Sequence, residues 1–327
     1  MKILFIALAA VMIFALLGLA VATVYMYRLA CRRRSGDNES VWDQVVPPPG
    51  MAPMGKFEPA LSEGRAWLLE RGASEDARRV SITSYDGLWL NGRIIPQEGR
   101  EHPKGIILML HGYRSNPLHD FGASAKDFAG RGFMLCMPCQ RAHGDSEGTH
   151  LTYGVKERHD AVSWCRFLAK EYPDLPIIMC GISMGASTVL MASSLDLPEN
   201  VKGIIADCGF TTPAEICKKV LTTDLRMPAF PLYYTAFALT RVLAGFSFNE
   251  VSALEEASKT KLPVMVVHGT EDKFVPFEMG ERIRNAIKSE CVFVAAKGAG
   301  HGESYLTDNA LYNEGFEKFM KLCGLSE

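Results

Sequence analysis

The chain has 327 residues, 48% of them apolar and 22% charged, which suits one α/β domain of about 250 residues plus an N-terminal appendage. A formal net charge of −2 leaves no electrostatic footprint for nucleic acid, and none is expected as a partner. Nine cysteines, an odd number scattered through apolar segments, argue for reduced core thiols over a disulfide framework.

From Ile3 to Tyr27 there is no charged residue. As a helix this run is about 37 Å long, enough to cross a hydrocarbon core of about 30 Å. A secretory leader is the rival reading, because Ala20-Val21-Ala22 offers a small-residue cleavage site. Leu29-Ala30-Cys31 hints at lipoprotein processing, but Arg28 and Arg32 are wrong for it. The expectation is an uncleaved single-pass anchor over residues 1–34. Arg28, Arg32, Arg33 and Arg34 after the run, against Lys2 before it, place the C-terminal side in the cytoplasm by the positive-inside rule.

Residues 35–58, with SGDNES and PPPG, read as a linker. The domain then runs over 59–327. PALSEGRAWLLERG (59–72) has the pattern of a short amphipathic helix. Residues 79–96 hold two strands joined at Asp86-Gly87.

Beyond these, GIILML (105–110), GFMLCM (132–137), PIIMC (176–180), KGIIAD (202–207), PVMVVH (263–268) and CVFVA (291–295) are nearly continuous in apolar residues. That is the pattern of strands covered on both faces. Helical stretches such as 155–172 and 186–195 lie between them. The alternation predicts a doubly wound, mostly parallel α/β sheet. One interval is too long for a simple crossover. Rich in Tyr233, Tyr234, Phe237, Phe246 and Phe248, it reads as a helical cap at about 212–255.

Sites in parallel sheets form at strand carboxyl ends, so the polar residues that follow the apolar runs matter most. G-x-S-x-G occurs twice. Ser183 of Gly181-Ile182-Ser183-Met184-Gly185 follows a strand and precedes a small apolar helix, the setting of a strained nucleophile elbow. Ser146 of Gly144–Gly148 lies in a loop and is assigned a structural role. An amide of His111-Gly112-Tyr113, with that of Met184, is a candidate oxyanion hole. The His111 ring itself is expected to be structural. Asp272, taken over Glu271, follows PVMVVH as the acid, and His301 follows the last strand as the base. Cys136 and Cys139 form a lone CxxC, read as structural, with no metal expected.

The order Ser183, Asp272, His301 is the order of nucleophile, acid and base in this architecture. With HGYRSN (111–116), RAHGDSEG (141–148), GISMG, HGTEDKFVP (268–276) and GAGHG (299–302), the chain from about Arg79 onward resembles the α/β-hydrolase superfamily. Within it, it is most similar to membrane-anchored bacterial serine hydrolases of the monoacylglycerol-lipase-like and acyl-thioesterase-like group. The resemblance implies that Tyr113 and Met184 supply the oxyanion amides, and that His143 and Asp145 belong to a supporting network. The expected chemistry is hydrolysis of a carboxylic ester or thioester of an apolar acyl substrate, a lipid for instance, through an acyl-enzyme, without a metal or organic cofactor. The alternatives are an amidase or peptidase with the same triad, and a membrane-tethered binding protein that has lost turnover.

Overall fold

The computed structural model describes residues 1–34, 40–43 and 55–326. Most of the expected linker, residues 35–39 and 44–54, lies outside them. In chain order the elements begin with α1 (Lys2–Cys31), α2 (Glu58–Ala73), β1 (Arg78–Thr83), β2 (Trp89–Ile95) and β3 (Gly105–Leu110). Then come α3 (Pro117–Phe121), α4 (Ala125–Gly130), β4 (Phe133–Pro138), α5 (Glu157–Glu171), β5 (Ile177–Ile182), α6 (Met184–Ala192) and β6 (Val201–Asp207). The cap region holds α7 (Pro213–Lys219), α8 (Leu232–Leu243) and α9 (Ala253–Ala257). The chain closes with β7 (Val264–Gly269), α10 (Phe277–Ala286), β8 (Cys291–Ala296), α11 (Ser304–Thr307) and α12 (Asn309–Leu322).

The strands form one eight-stranded sheet in the order β1-β2-β4-β3-β5-β6-β7-β8. β1 and β2 are antiparallel to each other, and β2 is antiparallel to β4. Every pair from β4 to β8 is parallel. The central strands are buried on both faces, as their unbroken apolar runs require. Successive side chains of a strand point to opposite faces. Ile106, Leu108 and Leu110 of β3 therefore join one core layer, under α5, α6 and α9. Ile107 and Met109 join the other, with Phe128, Phe316 and Phe319 of α4 and α12.

The strand order reverses between β3 and β5: the chain builds β4 on one side of β3 and then crosses to place β5 on the other. Such a switch point opens a crevice at the carboxyl ends of the two strands. His111-Gly112-Tyr113 leaves β3 there, and Ser183 leaves β5 beside it.

α1 departs from the picture of a free anchor ahead of a linker. Its first twenty residues are largely exposed, whereas Thr23, Tyr27 and Cys31 are buried. Tyr27 and Cys31 belong to the main core layer. The Leu151 N–H donates to the Cys31 carbonyl (2.7 Å) and the Arg33 N–H to that of Thr149 (3.0 Å). The Thr23 hydroxyl meets that of Thr235 in α8 at 2.7 Å. The helix thus docks on the domain ahead of residue 35.

Candidate active site

β5 ends at Ile182, and Ser183 has φ 55° and ψ −115° before α6 starts. A non-glycine residue held there costs about 1–3 kcal/mol and persists only where its surroundings fix it. The flanking glycines supply the fixing. A Cβ on Gly181 would lie 2.2 Å from the Gly185 carbonyl oxygen, and one on Gly185 would lie 1.9 Å from that of Leu110. Only bare backbone fits where β5, the turn and β3 converge.

The His301 ring lies between the other two expected members of the triad. Its Nε2 is 2.9 Å from Ser183 Oγ, and its Nδ1 is 2.7 Å from Asp272 Oδ2. Asp272 Oδ1 accepts from the Phe274 and Val275 N–H groups, at 2.9 and 2.8 Å. Burial pushes the Asp272 carboxyl up, but hydrogen bonding to His268, His301 and the backbone outweighs it and holds the group well below the usual carboxylate range. Glu271, by contrast, is exposed.

Tyr113 and Met184 bring their backbone N–H groups to the same end of the sheet, and neither N–H has a hydrogen-bond partner among the described residues. Their loop is braced from several sides. The Gly112 N–H donates to Asp120 Oδ2 (2.6 Å), and the Arg114 N–H to His143 Nε2 (3.0 Å). The latter requires the His143 proton on Nδ1, where it reaches the Arg141 carbonyl (2.9 Å). Burial drives His143 well down from its ordinary value, so the ring stays neutral and keeps this tautomer. His111 is fully buried, accepting from the Gln140 N–H at Nε2 (3.0 Å). Ser146 is equally occupied: its hydroxyl donates to the Cys139 carbonyl (2.6 Å) and accepts from the Asn91 N–H (2.8 Å). The RAHGDSEG loop is thus structural, with Arg141 paired to both Asp160 and Asp86. Cys136 and Cys139 are buried and unbridged.

Two residues near the triad escaped the sequence reading. Asp120 braces the loop of the candidate oxyanion hole. Asp207, at the end of β6, is buried with Oδ1 unpartnered among the described residues, and its carbonyl receives the Ser183 N–H (2.8 Å). Its sequence signal was a carboxylate closing an apolar strand. Burial raises its carboxyl from 3.8 to about 7, against the opposing pull of His268 and His301. An acid raised in this way contributes most to stability below its unfolded value, and that contribution is lost as pH rises toward 7. Asp207→Asn is therefore expected to gain stability over the wild type at pH 8, on the order of 2 kcal/mol, with little gain at pH 4. Thermal melts at the two values check this.

Cys208, Asp272 and His301 bring metal-ligating atoms within 4.8 Å of one another. Asp272 and His301 are already committed to one another and to Ser183, and burial holds the Cys208 thiol protonated. The arrangement suits proton transfer rather than ion binding.

Two cavities meet at Ser183. One, of about 250 Å³, is bordered by polar residues including Ser115, His119, Asp120 and Asp207. The other, of about 230 Å³, is apolar and lined by Phe210, Ile216, Leu221 and Leu225 of the cap side, with Met26, Leu29 and Ala30 of α1. Tyr113, Ser183 and Phe274 border both. The ring of Phe274 stands edge-on to His301 with centroids 5.0 Å apart.

A family model described as "Serine aminopeptidase, S33" matches residues 101–234, and one described as "TAP-like protein" matches 234–322. The esterase Pf2001 of Pyrococcus furiosus superposes with a TM-score of 0.57 at 20% identity, covering 85% of this chain and 98% of its own. The chain belongs to the α/β-hydrolase superfamily. The α/β-hydrolase GrgF of a Penicillium species has the same fold, with a TM-score of 0.56 at 19% identity, over 76% of this chain and 99% of that one. Among relatives in sequence, protein YqkD of Bacillus subtilis is 26% identical over 215 residues, 65% of this hydrolase and 70% of YqkD. Human protein ABHD8 is 32% identical over 133 residues, which cover 37% of this hydrolase and only 29% of ABHD8.

Proposed function

We propose that this hydrolase cleaves carboxylic esters or thioesters of an apolar acyl group through a covalent acyl-enzyme on Ser183. The supporting observation is the bond chain from Asp272 through His301 to the Ser183 hydroxyl, set between an apolar cavity and one of mixed lining. His301 Nε2 takes the hydroxyl proton as Oγ attacks the acyl carbon. Asp272 holds the proton of Nδ1 and stabilises the imidazolium. The Tyr113 and Met184 amides receive the developing oxyanion. His301 then returns the proton to the leaving group, and water repeats the sequence to free the acid. In this reading the acyl chain enters the apolar cavity and the leaving group departs through the one that Ser115, His119 and Asp120 border.

Fluorophosphonate labelling of Ser183, competed by a panel of lipid esters and thioesters, tests the proposal. Labelling suppressed by long-chain substrates at low concentration is the expected result. An unlabelled Ser183 supports instead a tethered binding protein and ends the enzymatic reading. A peptidase is the second reading, favoured by the name of the first family model; turnover of aminoacyl p-nitroanilides without turnover of esters would establish it. The burial of Tyr27 and Cys31 in the domain core supports α1 as a retained membrane anchor over a cleaved leader.

A further inference from the structure

The apolar cavity at Ser183 has an unusual wall. Met26, Leu29 and Ala30, on the last two turns of α1, face Ile216, Leu221 and Leu225 across it. A smaller void of about 60 Å³ continues along the seam between α1 and α8, again bordered by Met26 and Ala30. The same two turns are tied to the oxyanion loop. A helix leaves its last carbonyls without intrahelical partners. Here the Tyr113 hydroxyl donates to the Ala30 carbonyl (2.8 Å), and the Arg114 guanidinium to those of Leu29 and Arg32 (2.8 Å each). The Tyr153 hydroxyl also reaches Ala30 (3.1 Å). Tyr113 thus stands at the pocket, at the candidate oxyanion hole and at the helix end together.

We propose that the end of the N-terminal helix is the acyl-binding wall of the active site. The substrate's chain lies against the same helix that crosses the bilayer, and the substrate is a membrane-resident lipid ester. This rests on the ester-hydrolase reading and on α1 as an anchor. The argument for the occupant is continuity. The cavity starts at the nucleophile and is apolar along its length. Its lining takes in Met26, which lies within the uncharged run Ile3–Tyr27. A polar substrate would lose its hydration there without recompense. A chain already dissolved in lipid gives up nothing by moving along an apolar helix face.

The test uses the full chain in phosphatidylcholine nanodiscs, with p-nitrophenyl acetate and p-nitrophenyl palmitate as substrates. Met26→Trp fills the cavity. It is expected to lower kcat/KM for the palmitate by about ten-fold or more, as expected when a pocket loses room for methylenes, with the acetate held within about two-fold. Leu29→Ala, which only removes atoms, is expected to raise the palmitate-to-acetate ratio. Val24→Trp, on an exposed part of the helix and outside the cavity lining, leaves both rates unchanged. Fluorophosphonate labelling of each variant reports an assembled site. Ratios equal to the wild type in both Met26→Trp and Leu29→Ala, or equal losses on both substrates in labelled protein, overturn the proposal while leaving the hydrolase reading standing. A wild type that neither labels nor turns over either ester overturns both.

Discussion

Ser183→Ala is expected to fold like the wild type and to lose p-nitrophenyl butyrate hydrolysis by about 10⁴-fold or more, together with all fluorophosphonate labelling. The magnitude follows from losing a group that acts as a unit with its base, where removal of one member forfeits most of what the set supplies. Stability should move little, because alanine meets the same positive φ as serine and, among the described residues, the lost hydroxyl bonds only His301. Ser146→Ala is the natural control. Its hydroxyl is committed to backbone groups of Cys139 and Asn91, so that variant should be less stable yet keep its labelling. Hydrolysis persisting in Ser183→Ala, with Ser146 intact, would remove the nucleophile from the mechanism.

Asp272→Asn is expected to be nearly as damaging, about 10⁴-fold in kcat, for a reason the hydrogen bonds specify. Two backbone N–H groups, of Phe274 and Val275, fix Oδ1 of the native carboxylate as an acceptor. An asparagine must leave its carbonyl oxygen there and turn its NH₂ toward His301 Nδ1. The ring is then forced to carry its proton on Nε2, facing a serine hydroxyl it can no longer deprotonate. The substitution nearly conserves shape, so circular dichroism should be unchanged. Acid does not reproduce the lesion in the neutral range. The carboxyl is held well below its ordinary value, so its contribution to stability is present above the unfolded value and lost only as pH falls through the lowered one. Steady-state kinetics of the variant near neutral pH are the check; a loss smaller than ten-fold would assign Asp272 a structural part.

The parallel sheet was legible because strands covered on both faces must be apolar throughout, and β3, β5 and β7 are. The three expected triad members were legible because each closes or follows such a strand, where no packing need explains a serine, an aspartate or a histidine. Asp207 closes β6 and carried the same signal, unused because Asp272 filled the place of the acid; Asp120 carried none. A single carboxylate looks like surface until the fold closes over it. The candidate oxyanion amides are backbone groups with no residue signature: the residues themselves offered Met184 and the loop His111-Gly112-Tyr113, and the family resemblance chose Tyr113 within it. The docking of α1 was hidden for a different reason. Tyr27 and Cys31 suit lipid and protein core equally well, so hydropathy reads both as one run. Strand boundaries shifted by about one residue, as with β4, which takes in Pro138.

The contact between Thr23 and Thr235 sets a length. With the turns from Thr23 onward committed to the domain, residues 3–22 remain for lipid, about 30 Å of helix. That equals the hydrophobic thickness of an ordinary bilayer. As an anchor, α1 is then a rigid post rather than a leash. On that reading the catalytic body would stay close to the headgroups and would search for substrate by diffusing in two dimensions.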